Sequence, residues 1–184
     1  GKINTNWKFL IENFIEPYHV QFVHKTTTNQ PLKDHYTFVD GKCYGSGIDV
    51  ETEDEKNNNA LSVTSKYLSL FPNFIMGSYF PNQIGVYLNI PISPSVTTQK
   101  RIIYTTDGKN MSKKEIQTIK NIWWSVHKED HEMCERLQEG RFSPASNEGG
   151  VLSPVWEKGV QAFQKLIIES ITKTFKSTKR IKNV

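Results

Sequence analysis

Phe74-Ile75-Met76, Gly85-Val86-Tyr87-Leu88 and Arg101-Ile102-Ile103-Tyr104 are short runs rich in β-branched and aromatic residues, set apart by Pro72, Pro81, Pro91 and Pro94. Apolar runs of this length between proline breakers read as strands, and their spacing leaves no room for helices between them. One antiparallel meander fits this better than a parallel sheet. Working outward toward the N-terminus, Leu61-Ser62-Val63-Thr64 reads as a further strand and Glu51 to Asn59 as a surface loop. Tyr36-Thr37-Phe38-Val39 meets Asp40-Gly41 and the alternating stretch Cys43 to Val50, a hairpin signal. The β region therefore extends from His35 to Thr106.

Both flanks carry a helical period. Trp7, Leu10, Phe14 and Tyr18 recur at helical intervals and predict a helix from about Trp7 to Glu16, capped by Asn6 or Thr5. Thr26 to Pro31 reads as a polar loop. Ser112-Lys113-Lys114-Glu115 is a capping box opening a long helix to Gln138, with Gly140 as its C-terminal glycine. Ser153-Pro154 opens another helix, which carries Trp156, Val160, Phe163, Ile167, Ile171 and Phe175 down one face. The class is α+β: a curved antiparallel sheet gripping long C-terminal helices.

A chain of 184 residues with 36% hydrophobic content fits one domain with a buried core. Runs such as Leu166-Ile167-Ile168 are far too short to cross a bilayer, and no basic-then-apolar leader opens the chain, so a cytoplasmic protein that does not enter membranes is expected. Cys43 and Cys134 fit no Cys-x-x-Cys pattern, in keeping with a reducing compartment. The net charge of +4 comes largely from the tail Lys173 to Lys182. No base-reading motif accompanies the tail, so it reads as a frayed, solvated end rather than a nucleic-acid contact. The chain opens without methionine and looks cut from something longer.

Two imidazoles, His19 and His24, stand five residues apart among acidic and aromatic side chains. Neutral imidazole is the commonest nitrogen ligand for first-row divalent metals. Positions i and i+5 diverge by about 140° on a regular helix, so the rings converge only if the helix loosens, which Pro17 allows. A pair of ordinary polar histidines at a helix end explains the spacing equally well. The second oddity is Asp130, which fills the missing slot in the series Ile116, Ile119, Trp123, Val126, Met133 and Leu137. A carboxylate in an apolar stripe is costly unless a cation faces it. On an ideal helix Glu129, Glu132 and Glu135 point away and read as surface residues. Two imidazoles and one carboxylate with open positions form the facial triad of non-haem iron(II) oxygenases.

Glu12-Asn13-x-x-Glu16-x-Tyr18-His19-x4-His24, preceded by Asn6-Trp7-Lys8, resembles the mononuclear-iron signature of Rieske non-haem iron ring-hydroxylating oxygenases. Lys128-Glu129-Asp130 followed by Cys134-Glu135-x-x-Gln138-x-Gly140-x-x-Ser143 resembles the third-ligand helix of that family, and Leu70-Phe71-Pro72-Asn73 and Pro91-x-x-Pro94 its mid-sheet turns. The resemblance implies a helix-grip catalytic domain over residues 1–184, with iron(II) held by His19, His24 and Asp130. It implies activation of O2 to hydroxylate, by mono- or dioxygenation, or oxidatively dealkylate a small molecule. Electrons come in that family from a reductase through a Rieske [2Fe-2S] cluster, usually on the neighbouring subunit of a trimer. The Cys-x-His and Cys-x-x-His pairs of such a cluster are missing from this sequence, so the cluster is expected on another domain or chain. Glu16 takes the place of the carboxylate that bridges an iron-bound histidine to a Rieske histidine, where aspartate is frequent in the family. Asn13 and Tyr18 are carried over as groups that orient the ligands. His127, His131 and His35 stay outside the site.

Some of Phe74, Met76, Tyr79, Phe80, Tyr87 and Trp123 are expected to line an apolar pocket beside the metal. Such a wall suits an apolar, aromatic or quaternary-ammonium substrate. The rival readings are a non-catalytic helix-grip ligand-binding module with a structural metal or buried polar cluster, and a zinc hydrolase using the same ligand types.

Overall fold

The computed structural model describes residues 1–28, 30–49, 64–79, 82–106, 108 and 110–181, the side chains of 175–181 excepted. Chain order is β1 (Lys2–Ile3), α1 (Trp7–Ile15), α2 (Val20–Val23), β2 (His35–Asp40), β3 (Cys43–Ile48), β4 (Ser65–Leu70), β5 (Phe74–Tyr79), β6 (Gln83–Ser93), β7 (Val96–Thr105), α3 (Lys113–Gly140) and α4 (Lys158–Ile181). The strands form a seven-stranded sheet in the order β1-β7-β6-β5-β4-β3-β2. Every pairing is antiparallel, so the meander read from the proline-punctuated runs is the architecture.

Alternation gives the sheet one covered face. Tyr44, Ile75 and Tyr87 point from β3, β5 and β6 into a core with Ile11 and Ile15 of α1 and Val160 and Phe163 of α4. Asp40-Gly41 makes the predicted hairpin, with Asp40 opposite Cys43 and Gly41 at φ +58°, a backbone state open to glycine. Asn6 caps α1, its side chain accepting from the Lys8 amide, and both bonds of the Ser112–Glu115 capping box form.

Several boundaries differ from the sequence reading. Pro91 does not end β6, which runs on to Ser93 through a register irregularity between these residues, where a proline costs no ladder bond. The strand expected at 61–64 and the loop at 51–59 lie almost wholly outside the described residues, and the strand that is formed, β4, follows directly. Gly140 is the last residue of α3 and lacks a positive φ. Ser153 caps only a turn, accepting from the amides of Val155 and Trp156, and α4 begins at Lys158. It is helical through most of the basic tail, to Ile181. Ile171 is exposed, and the Phe175 side chain lies outside the described set. On α3 the buried face is Trp123, Val126, His127, Cys134 and Gln138, with Ile116 and Leu137 exposed. The stripe is rotated because the segment 4–6 pins that half of the helix: Asn4 and Asn6 amides donate to Glu135 and Gln138, and Thr5 Oγ1 donates to the Cys134 carbonyl.

Gly45 of β3 is where the sheet tolerates no side chain. A Cβ there would sit 1.8 Å from the Tyr67 carbonyl oxygen, and because that is backbone the β3–β4 pairing would have to part. Gly45→Ala is expected to cost about 4 kcal/mol, in the range of the largest single-residue effects, whereas Gly140→Ala, with open space around it, should be neutral. Urea unfolding of the two variants checks this.

Candidate functional site

The histidine pair converges because α1 stops at Ile15 and the chain turns before α2. Val20 N donates to the Pro17 carbonyl, so His19 becomes the N-cap and His24 the C-cap of a four-residue helix. Their ring centroids lie 5.2 Å apart at 74°. Asp130 of α3 faces both, its Oδ1 3.0 Å from His24 Nε2 and 3.7 Å from His19 Nε2. One ligand atom from each of the three residues falls within 4.8 Å of the others, the geometry of a mononuclear metal site.

Carboxylates occupy the far nitrogens of both rings. His19 Nδ1 donates to Glu16 Oε1 at 2.6 Å, and His24 Nδ1 to Glu129 Oε2 at 2.7 Å. A proton held on each Nδ1 leaves each Nε2 lone pair free toward the common point, which is the arrangement of ligating imidazoles. Glu16 is itself held by the amides of Tyr18 and His19 at its Oε2, and Glu129 by Thr27 Oγ1 at 2.7 Å. Asn13 donates from Nδ2 to Asp130 Oδ1 at 2.9 Å.

Burial alone would raise the Asp130 pKa. The hydrogen bond and charge of His24, with the charges of His19 and Arg101, outweigh it and hold the carboxyl at about 2. Burial likewise opposes charge on His24, and Asp130 and Glu129 together bring its pKa above the ordinary value. A donor set of two neutral-capable imidazoles and an ionised carboxylate, each oriented from behind, fits a divalent first-row ion.

Beside these groups a cavity opens between α1–α3 and the covered face of the sheet, and six of its wall residues form a closed circuit of ring contacts. Centroids are 5.4 Å apart for Tyr87–Phe14, 5.6 Å for Phe14–Tyr67, 5.8 Å for Tyr67–Tyr79, 4.3 Å for Tyr79–Trp123, 5.5 Å for Trp123–His127 and 5.6 Å for His127–Tyr87. The Tyr79 and Tyr87 hydroxyls meet across it at 3.1 Å. Gly77 and Gly85, opposite one another in register, make room for those phenols, since a Cβ would lie 2.1 Å from the Tyr79 hydroxyl or 2.6 Å from that of Tyr87. Gly77→Ala is expected to leave a folded protein, because the atom it meets is a side-chain end, but to break the hydroxyl pair. Loss of that buried hydrogen bond should perturb the near-ultraviolet tyrosine spectrum with a small change in Tm.

The family profile of the ring hydroxylating alpha subunit (catalytic domain) matches residues 2–173. The chain belongs to this family. The chloroplastic choline monooxygenase of Atriplex hortensis is 28% identical over 164 residues, covering 88% of this chain and 36% of that protein. The one from Beta vulgaris is 25% identical over 171 residues, covering 92% and 38%. The chain thus spans little more than a third of the length of these curated relatives. Among solved structures, the quaternary ammonium Rieske monooxygenase CntA in complex with an inhibitor superposes with TM-score 0.74 at 17% identity, over 92% of this chain and 47% of that one. Dicamba monooxygenase bound to dicamba gives 0.65 at 14% identity, over 93% and 58%. These structural likenesses are likenesses of fold.

Within this ring-hydroxylating catalytic domain the structure brings together His19, His24, Asp130, Glu16 and Asn13. Asn13 holds the carboxylate rather than an imidazole, because α1 presents it toward α3. Tyr18 is 48% exposed and packs on Phe22, away from the cavity. Glu129 is not a free surface residue: α2 lays His24 alongside α3, where one ring reaches both Glu129 and Asp130. Of the expected pocket residues, Tyr79, Tyr87 and Trp123 line the cavity. Phe74 and Met76 do not, since they have the opposite strand parity to Ile75 and Tyr79, which do. Phe80 lies outside the described residues. Phe14, Tyr67, His127 and Arg101 line the cavity although sequence reasoning passed them over. No helix among the described residues is long and apolar enough to cross a membrane.

Proposed function

We propose that this chain is the catalytic domain of a Rieske-type non-haem iron oxygenase, with one ferrous ion held by His19, His24 and Asp130 and a small quaternary-ammonium or aromatic substrate seated against the ring circuit. The observation that carries this reading is the convergence of two Nε2 atoms on Asp130 Oδ1, with each Nδ1 bound to its own carboxylate. Bound ferrous iron supplies activation of dioxygen, because this ligand set leaves coordination positions open. The protein's part is to hold the Nδ1 protons on Glu16 and Glu129, to fix Asp130 through Asn13, and to keep water from the substrate with aromatic walls. Those walls suit a trimethylammonium group through cation–π attraction, worth about 2 kcal/mol when desolvated. Choline monooxygenase and CntA, a quaternary ammonium monooxygenase, support that substrate class. Anaerobic loading followed by metal analysis is expected to give one ferrous ion per chain; a chain that takes none would overturn the reading.

A Rieske domain and a reductase are the proposed electron source, and a homotrimer the proposed setting, with Glu16 joining His19 to the neighbouring cluster's histidine. Glu16 has lone pairs to spare beyond its contacts with His19 and two amides. Glu16→Gln is expected to slow turnover with a Rieske donor by more than it weakens iron binding. Equal losses in the two measurements would reduce Glu16 to a support for His19.

A further inference from the structure

Two polar side chains in the cavity wall carry buried nitrogens that have no hydrogen-bond partner. Arg101 of β7 stands opposite Tyr87 of β6 in register, with its Cζ 5.4 Å from that ring's centroid. Its Nε donates to the Gln99 side-chain carbonyl and its Nη2 meets His131 Nε2 at 3.0 Å, and neither partner is an anion. Nη1 is buried with no hydrogen-bond partner, and among the described residues no carboxylate forms an ion pair with this guanidinium. A cation taken out of water is costly unless an anion pairs with it. Asp130 is the carboxylate whose charge reaches Arg101, and it is the one that a bound metal would neutralise. Loading the site therefore leaves Arg101 in want of an anion.

His127 is the second. It is 8% exposed, its two ring nitrogens are buried without hydrogen-bond partners, Nδ1 standing 3.9 Å from Asp130 Oδ2, and its ring lies 5.6 Å from the same Tyr87. Both residues line the cavity. We infer that Arg101, with His127 beside the same tyrosine, is a carboxylate subsite, so that the substrate carries a carboxylate in addition to the end held by the aromatic rings. This rests on the oxygenase reading and narrows it: with a trimethylammonium group against the rings, the substrate is a zwitterion of the betaine type rather than choline, which has the cation and no anion. Because Nη2 is already engaged, the carboxylate is met by Nη1 singly, and His127, which packs on the same Tyr87 ring, supplies the second donor.

The test is calorimetric titration of the ferrous-loaded, oxygen-free chain with γ-butyrobetaine, choline and benzoate. γ-Butyrobetaine is expected to bind about tenfold or more tightly than choline, the usual scale of a hydrogen bond to a charged group. Arg101→Gln should erase that preference, bringing the ratio of the two dissociation constants to about one, and Arg101→Lys should keep part of it. Tighter binding of benzoate than of choline supports the same subsite with an aromatic rather than cationic partner end. Choline binding as well as both carboxylates, binding of neither carboxylate, or a preference that survives in Arg101→Gln would each overturn it. If Arg101→Gln fails to fold, the wild-type comparison and the lysine variant decide. Iron content measured on the same samples separates the two levels: one iron per chain without carboxylate preference defeats the subsite alone, and absence of iron defeats the oxygenase reading beneath it.

Discussion

Asp130→Ala is expected to strip ferrous iron from the chain while leaving it folded. The carboxylate is the anionic member of the three-residue set, so its loss removes a ligand and the charge that makes the site attractive to a dication. Loss of a partner that merely orients a ligand typically costs about 10–100-fold in metal affinity, and loss of the ligand itself should exceed that. Folding is less affected. Removing Asp130 leaves the Asn13 amide without its acceptor, a cost of about 1–3 kcal/mol if no water replaces it, but that amide sits at the edge of a cavity that water can enter. The metal-free protein offers an independent check. With a folded pKa of about 2, below the ordinary carboxylate value, Asp130 contributes stability that is present above the unfolded pKa and lost as pH falls toward 2. Asp130→Ala should lack that part of the acid transition. Metal analysis after dialysis and acid unfolding by circular dichroism measure the two effects, and retention of one iron per chain would remove Asp130 from the site.

How much of this was legible in the sequence depended on whether a residue broke a pattern that its own element sets. Asp130 was visible because a carboxylate interrupts an apolar series on a long helix, and His19 and His24 because imidazoles are sparse and bind metals. The sheet was visible because prolines cut it into runs. β4 was not, because Ser65 and Ser69 on its covered side are polar and buried, so its alternation runs against the usual rule. Arg101 was hidden inside a run read as apolar, although its place across from Tyr87 puts it on the covered side. Phe74 and Met76 have the chemistry of a pocket wall but the opposite parity, and strand period alone favours Ile75 with Tyr79. The ring circuit was not legible at all: Phe14 comes from α1, Tyr67 from β4 and His127 from α3, and only the packing of three layers brings them into contact.

Glu129 is the site residue whose place its own helix predicts least well, and replacing it tests what its contact with His24 contributes. On an isolated helix it points about 100° from Asp130, toward solvent. In the folded chain the short helix α2 lies alongside α3, so the His24 ring is gripped at both ends, Nε2 toward Asp130 Oδ1 at 3.0 Å and Nδ1 by Glu129 Oε2 at 2.7 Å. Without the second grip the proton is free to move to Nε2, which would then present a donor where a metal needs a lone pair. Glu129→Ala is therefore expected to weaken ferrous-iron binding by about 10–100-fold, the usual cost of losing the partner behind a ligating imidazole. Glu129→Gln should recover part of this, since an amide oxygen still accepts from Nδ1. Thr27→Ala, which only removes the hydroxyl bracing the same Glu129 oxygen, should do less. Glu132→Ala is the control, three residues along the same helix with its side chain 58% exposed and, among the described residues, paired only to Lys128. Dissociation constants for ferrous iron across the four variants give the order directly. An affinity for Glu129→Ala equal to that for Glu132→Ala would mean that His24 keeps its tautomer unaided, and Glu129 would return to the surface role its helix position alone suggests.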